Sequence, residues 1–279
     1  MKRPIALGLA LVALVLALAG LELRLEKIPR RTVPGAGILY VPSGKYLKMA
    51  TFGYSSVAAD VLFIWAIQYY GNTAIPDRQD HLLHIFSVIS ELDPRYVDPY
   101  EVGALIALYD FNDVVLSLKI LDLGFVKNPD MWIFPLDAGH FAQIYAKDFT
   151  LAKEYFRKAM EVPGAPPIVR RLYADAAYKT MDLKTAWETW LEVFNTSKDA
   201  QVKKIASNHL YQVKAASDIS ALKKATTVFA ETYGRKPQDL ALLVQAGILP
   251  SLPKDLDGKN YVYDPRTGEI TTAVIPWKR

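Results

Sequence analysis

Hydrophobic and polar positions divide this chain into segments of different character. After Lys2 and Arg3 the run from Ile5 to Leu21 is free of charge and rich in Leu, Ala and Val, and Glu22 ends it. A helix over these 17 residues spans roughly 25 Å at a rise of ~1.5 Å, near the lower limit for a bilayer crossing. The basic start, the apolar run and small residues at Ala17 and Ala19 also describe a cleavable export signal. Leu23 and Leu25 extend the apolar character, which favours an uncleaved anchor over residues 1–27. Basic residues flank both sides, Lys2 and Arg3 before and Arg24, Lys27, Arg30 and Arg31 after, so loop charge does not decide orientation. A short cytoplasmic tail with the rest of the chain translocated is the expectation.

Residues 28–44 hold Pro29, Pro34, Gly35, Gly37, Pro42 and Gly44, breakers that predict a linker. From Lys45 the pattern is helical, with an N-terminal helical cap over 45–96. Tyr54 to Tyr70 is its most apolar part, and Asp60 interrupts the run. This reads as a buried core helix, or as a helix on a membrane face with Trp65, Tyr69 and Tyr70 at the interface. An amphipathic stretch from Gln79 to Leu92 follows and stops at Asp93-Pro94.

A repeat begins there. Pro94, Pro129 and Pro163 are spaced by 35 and 34 residues. Ala152, Phe156 and Ala159 recur 34 positions on as Ala186, Trp190 and Val193, and Ala142 recurs as Ala176. Each triplet falls at i, i+4, i+7, one stripe of a helix. Asn112-Asp113, Lys147-Asp148 and Met181-Asp182 each stand between two helical stretches, with the Asp as N-cap of the second. The unit is a helical hairpin of ~34 residues.

Across residues 97–195 this pattern resembles the tetratricopeptide repeat. Gly139 and Ala142 match small positions of the family's first helix, Ala152, Phe156 and Ala159 those of the second, and Pro163 the terminal proline. Pro135 stands where the family has an aromatic, and the unit from Asp98 to Asn128 is degenerate. The resemblance implies an all-α fold, a tetratricopeptide-like helical-hairpin solenoid behind an N-terminal transmembrane helix. Helices over 54–92 and 198–234 would be worn repeats or caps covering its end faces. It also implies that Glu101, His140, Gln143, Arg170 and Tyr178 line a concave groove that binds a peptide or partner helix.

C-terminal helices over 196–247 give way to a turn-rich tail, 248–279. There Tyr261 and Tyr263 face Ile270 and Thr272 across Asp264-Pro265-Arg266-Thr267-Gly268, which predicts a small β-hairpin. The string Leu252-Pro253-Lys254-Asp255, Gly258, Tyr261-Val262-Tyr263-Asp264-Pro265 and Gly268 resembles the C-terminal segment of type II secretion pseudopilins.

Composition narrows the chemistry. The net charge is +4, and acidic and basic residues are interleaved as on a solvated helical surface, so no nucleic-acid partner is expected. The absence of cysteine removes disulfides, thiolate metal sites and thiol nucleophiles. His81 and His84 with Asp77 and Asp80 have metal-ligand chemistry but no third histidine at a useful spacing. Asp255, Asp257 and Asp264 offer calcium-type oxygens, yet Asp is equally a turn residue. No cofactor, metal or catalytic constellation is expected, and no phosphate-binding or nucleophile-elbow motif is present.

The functional expectation is a non-catalytic, single-pass scaffold of a bacterial inner membrane, with its domain on the periplasmic side. It would touch lipid through its N-terminal helix and bind protein partners, in envelope secretion, pilus or transporter assembly. The alternatives are an exported glycan-cleaving enzyme using Glu188 or Glu231 with a partner acid, and a soluble exported binding protein.

Overall fold

A computed structural model describes residues 11–21, 24 and 41–275. Much of the expected anchor (1–27) and linker (28–44) lies outside the described residues. Residues 11–21 are helical and exposed. Among the described residues, no helix is long and apolar enough to cross a membrane. The chain is mostly helical and forms two compact units, Met1–Leu92 and Asp93–Arg279.

In the first unit, α1 (Gly44–Ala50) and α2 (Ser55–Gly71) both pack on α3 (Leu82–Leu92), which a short 3₁₀ turn, Arg78–His81, precedes. Gly44 allows the close approach: a Cβ there would stand 2.9 Å from the Val88 carbonyl oxygen. One face of α2 is buried, through Ala59, Phe63, Ala66, Tyr69 and Tyr70. Phe63 and Tyr70 meet Phe86 of α3 with ring centroids 6.4 and 6.0 Å apart. Tyr69 and Tyr70 thus belong to the core and are not residues of an interfacial face. No side chain caps the start of α2, whose N-cap position is Tyr54.

The second unit is a series of helical hairpins in which each helix packs on the next. They are α4 (Asp98–Tyr109) with α5 (Val114–Lys127), α6 (Ile133–Phe141) with α7 (Phe149–Glu161), and α8 (Ile168–Lys179) with α9 (Leu183–Thr196). In every hairpin an aspartate starts the second helix. Asp113, Asp148 and Asp182 accept from the backbone N–H of Leu116, Leu151 and Thr185 at 2.8, 2.9 and 3.3 Å. That satisfies one of the donors a helix start leaves open.

The preceding residue in each turn, Asn112, Lys147 or Met181, has φ of 52, 54 or 59°. Lys and Met are unusual there, and the turn's own bonds hold them. The backbone N–H groups of Asp113 and Asp148 donate six residues back, to Ala107 and Ala142, whereas that of Asp182 donates five back, to Ala177. A π turn, Ala142–Ala146, widens the second hairpin. The narrower third turn accounts for the shortening of the Asp-to-Asp spacing from 35 to 34.

Glycines set the helix spacing. A Cβ on Gly124 would lie 2.8 Å from the Phe134 ring, and one on Gly139 would penetrate the Phe156 ring. Phe134 and Phe156 are fully buried for the same reason.

The long helix α10 (Ala200–Tyr233) follows, with Asp199 as its cap and Gly234, at φ 66°, ending it. Its N-terminal half packs with α8 and α9 around Trp190, Leu210 and Val213. Its C-terminal half packs with α11 (Ala241–Gln245) and the tail around Leu222, Phe229, Leu243, Tyr261 and Ile270. The tail forms the two-stranded antiparallel hairpin β1 (Val262–Tyr263) and β2 (Ile270–Thr271), with Tyr263 opposite Ile270. Two phenol–carboxylate bonds fasten it to α10. The Tyr211 hydroxyl donates to Asp255 at 2.6 Å and the Tyr261 hydroxyl to Asp218 at 2.6 Å.

Candidate functional site

Two adjacent first helices of the hairpins, α4 and α6, carry matched side chains at helical spacing. Glu101, Leu105 and Tyr109 lie at i, i+4, i+8 on α4. Asp137, Phe141 and Tyr145 repeat that spacing 36 residues later on α6 and its π turn. Residues so spaced share one face, so the pairs form three rungs: two carboxyls, two apolar side chains and two phenols. The phenolic rung is closed, with the Tyr109 and Tyr145 hydroxyls 2.7 Å apart and their rings edge to face at 5.8 Å. Leu105, Tyr109, Ile144 and Tyr145 are all exposed, giving that end an open apolar and aromatic surface.

The carboxyl rung is electrostatically unrelieved. Glu101 and Asp137 are half-buried, and neither forms an ion pair or a side-chain hydrogen bond among the described residues. Burial pushes the Asp137 carboxyl up to about 6, and the charge of Glu101 adds to the rise. Glu101 is also raised, by its own burial and then by Asp98. Both effects penalise the ionised form. His140, one turn beyond Asp137, packs edge-on against Phe156 at 5.5 Å, and burial lowers its pKa, favouring the neutral ring. Gln143 is half-buried, and its Oε1 is fully buried with no hydrogen-bond partner among the described residues.

The other two residues expected in the groove lie on α8, the first helix of the third hairpin. Arg170 is ion-paired to Glu192 of α9 and lines a separate cavity of about 500 Å³ with Pro166, Arg171 and Val202. Tyr178 packs against the cluster of Ala174, Ala177 and Trp190. The ladder therefore joins Glu101 to His140's helix and leaves Arg170 and Tyr178 on α8.

Asp137 and the tyrosine rung were missed in the sequence reading. Asp137 could have been found as the one acidic residue in the helix Ile133–Phe141. The tyrosines were legible only as a 36-residue echo of that spacing.

The remaining candidates lie on other elements. His81 lies 3.9 Å from Asp77, while His84 bonds the Val41 carbonyl at 2.8 Å, so the two imidazoles have different partners. Asp255 is buried, and its Oδ1 accepts from the N–H groups of Asp257 and Lys259 at 2.9 and 2.8 Å. Asp264 accepts from the Arg266 N–H at 2.9 Å in the hairpin turn. Among the described residues no group of three or more acidic or histidine side chains is arranged to hold a metal ion. Glu188 is exposed on α9, beside a shallow groove it shares with Trp187 and Lys214, and Glu231 is exposed near the end of α10.

No protein-family model matches this chain, and no curated protein matches it in sequence.

Proposed function

We propose that the chain is a membrane-anchored, non-catalytic scaffold whose tetratricopeptide-like hairpins bind a segment of a partner protein. The N-terminal apolar segment holds it at a bacterial inner membrane, with the hairpins on the periplasmic side. The α4–α6 ladder is the recognition face. It takes an extended or helical segment presenting a Lys or Arg to Glu101 and Asp137 and an apolar side chain to Leu105 and Tyr109.

The observation that carries this reading is the carboxyl rung. Two half-buried carboxyls side by side, with no cation on them among the described residues, cost the free fold stability. A guanidinium or ammonium from a partner would relieve that cost. Charged hydrogen bonds of this kind contribute about 1.5–3 kcal/mol. The phenols and Leu105 supply apolar area beside the charge, the mixture found at the centre of binding faces.

Co-purification from membranes of the source cells tests the reading, using the full chain in mild detergent. The wild type should retain a partner that raised salt releases, and the Glu101→Gln/Asp137→Asn double variant should lose it. A partner retained equally by both would overturn the assignment of this face.

A further inference from the structure

The first unit leaves a large apolar surface uncovered. Helix α2 is largely apolar, with Asp60 its single charged residue and Gln68 exposed near its end, yet only one face is packed. A helix with that composition belongs in a core or a membrane. On the open side Val57, Val61 and Ile64, at i, i+4, i+7, are 56, 63 and 58% exposed. Met49 of α1 is 72% exposed, and Phe52 and Tyr54, in the turn between α1 and α2, are 90 and 73% exposed. Phe52 is held at φ 49° and Gly53 at 95°. A left-handed backbone is costly for a bulky residue, and here it projects the aromatic ring into solvent.

We propose that this face of α1 and α2 docks on the surface of a lipid bilayer, giving the chain a second membrane contact. The inference rests on reading the N-terminal apolar segment as membrane-directed.

Chain length favours lipid as the occupant. Val41 follows Arg24 by only 17 positions, a reach of at most about 60 Å. The face is therefore tethered close to any bilayer that takes up the apolar segment. Charge agrees with this. The intervening sequence contributes Lys27, Arg30 and Arg31 against Glu26, and Lys45 is exposed one turn before Met49 on α1. Basic residues beside exposed aromatic and aliphatic side chains suit an anionic headgroup layer over acyl chains. Phe52 and Val61 would enter the acyl boundary, with Asp60 at the margin in the headgroups.

The cysteine-free chain permits a direct test. A polarity-sensitive fluorophore is placed on Phe52→Cys, Val61→Cys, Leu14→Cys or Val126→Cys in the full chain. Each variant is reconstituted in phosphatidylcholine–phosphatidylglycerol vesicles with or without acyl-brominated lipid. Labels at 52 and 61 should shift to the blue and be quenched about twofold or more, as expected for groups 5–10 Å into the boundary. The label at Val126, which is exposed on α5, should stay unquenched. Quenching at 14 with 52 and 61 left in water would overturn docking alone. Labels at 52 and 61 that are shielded but unquenched would indicate protein cover and overturn it as well. Absence of quenching at 14, 52 and 61 would overturn both the docking and the membrane reading beneath it.

Discussion

Replacing Asp137 with Asn should stabilise the second unit at neutral pH, and the size and pH dependence of the gain follow from the site. The carboxyl titrates near 6 in the fold against an ordinary value of 3.8. Its folded pKa is therefore raised, so between those values the folded state binds more protons than the unfolded state. Stability then falls as pH rises through that window. The full penalty, about 3 kcal/mol at ~1.4 kcal/mol per pH unit, is present above pH 6 and absent below pH 3.8. Asparagine removes the charge but still buries an amide, so a net gain of about 1–2 kcal/mol is expected. Urea unfolding of the full chain in mild detergent, from pH 4 to 8, measures it. The stability of Asp137→Asn relative to wild type should rise by about 3 kcal/mol across pH 4 to 6, with the Asn variant the less stable of the two near pH 4. Glu101→Gln should shift the window downward, because the charge of Glu101 is the second cause of the rise. Parallel pH profiles, or an Asn variant less stable at pH 7, would refute an unrelieved carboxyl pair.

Three further outcomes follow from the packing. Gly139→Ala forces a methyl into the Phe156 ring and should cost about 1–3 kcal/mol, read from the denaturation midpoint. Asp148→Ala removes the cap on Leu151 N–H and should cost about 1 kcal/mol, visible as lost helicity on heating. Asp255→Ala removes the carboxylate that accepts from the Tyr211 hydroxyl and from two backbone N–H groups and should cost about 3 kcal/mol. Hydrogen exchange should then show the tail opening ahead of the hairpins. Burial opposes ionisation of Asp255, but bonds from Tyr211, Lys259 and Asp257 outweigh it and hold its pKa below 3.8. With a depressed folded pKa, the clamp is intact above 3.8 and is lost as pH falls through the folded value. Wild-type tail protection should therefore decrease under acid conditions.

Local chemistry was legible in the sequence. Asp113, Asp148 and Asp182 announce helix starts because an Asp before an apolar-periodic run has one favourable use. Pro265 and Gly268 announce the hairpin turn in the same way. What depended on distant partners was not legible. The Asp255–Tyr211 bond spans 44 residues, and nothing local distinguishes that aspartate from a turn aspartate. Helix α2 reads as buried because it is largely apolar, and only its packing reveals that one face lacks cover. Within the candidate site, Glu101 and His140 came from the register of a resemblance, which carried no information on rotamers or ion pairs. Arg170, placed in the groove by the same register, is held by an ion pair to Glu192 of α9 that the sequence does not show.

Site-specific photo-crosslinking tests the recognition face most directly. A photoreactive phenylalanine derivative replaces Leu105 between the two polar rungs, or Val126 on α5 as the control, in the full chain within native membranes. The account predicts a discrete adduct from position 105, to a segment bearing Lys or Arg beside an apolar residue, that fades when Asp137→Asn is added. No adduct at 105, or equal adducts at 105 and 126 that ignore Asp137→Asn, would contradict it.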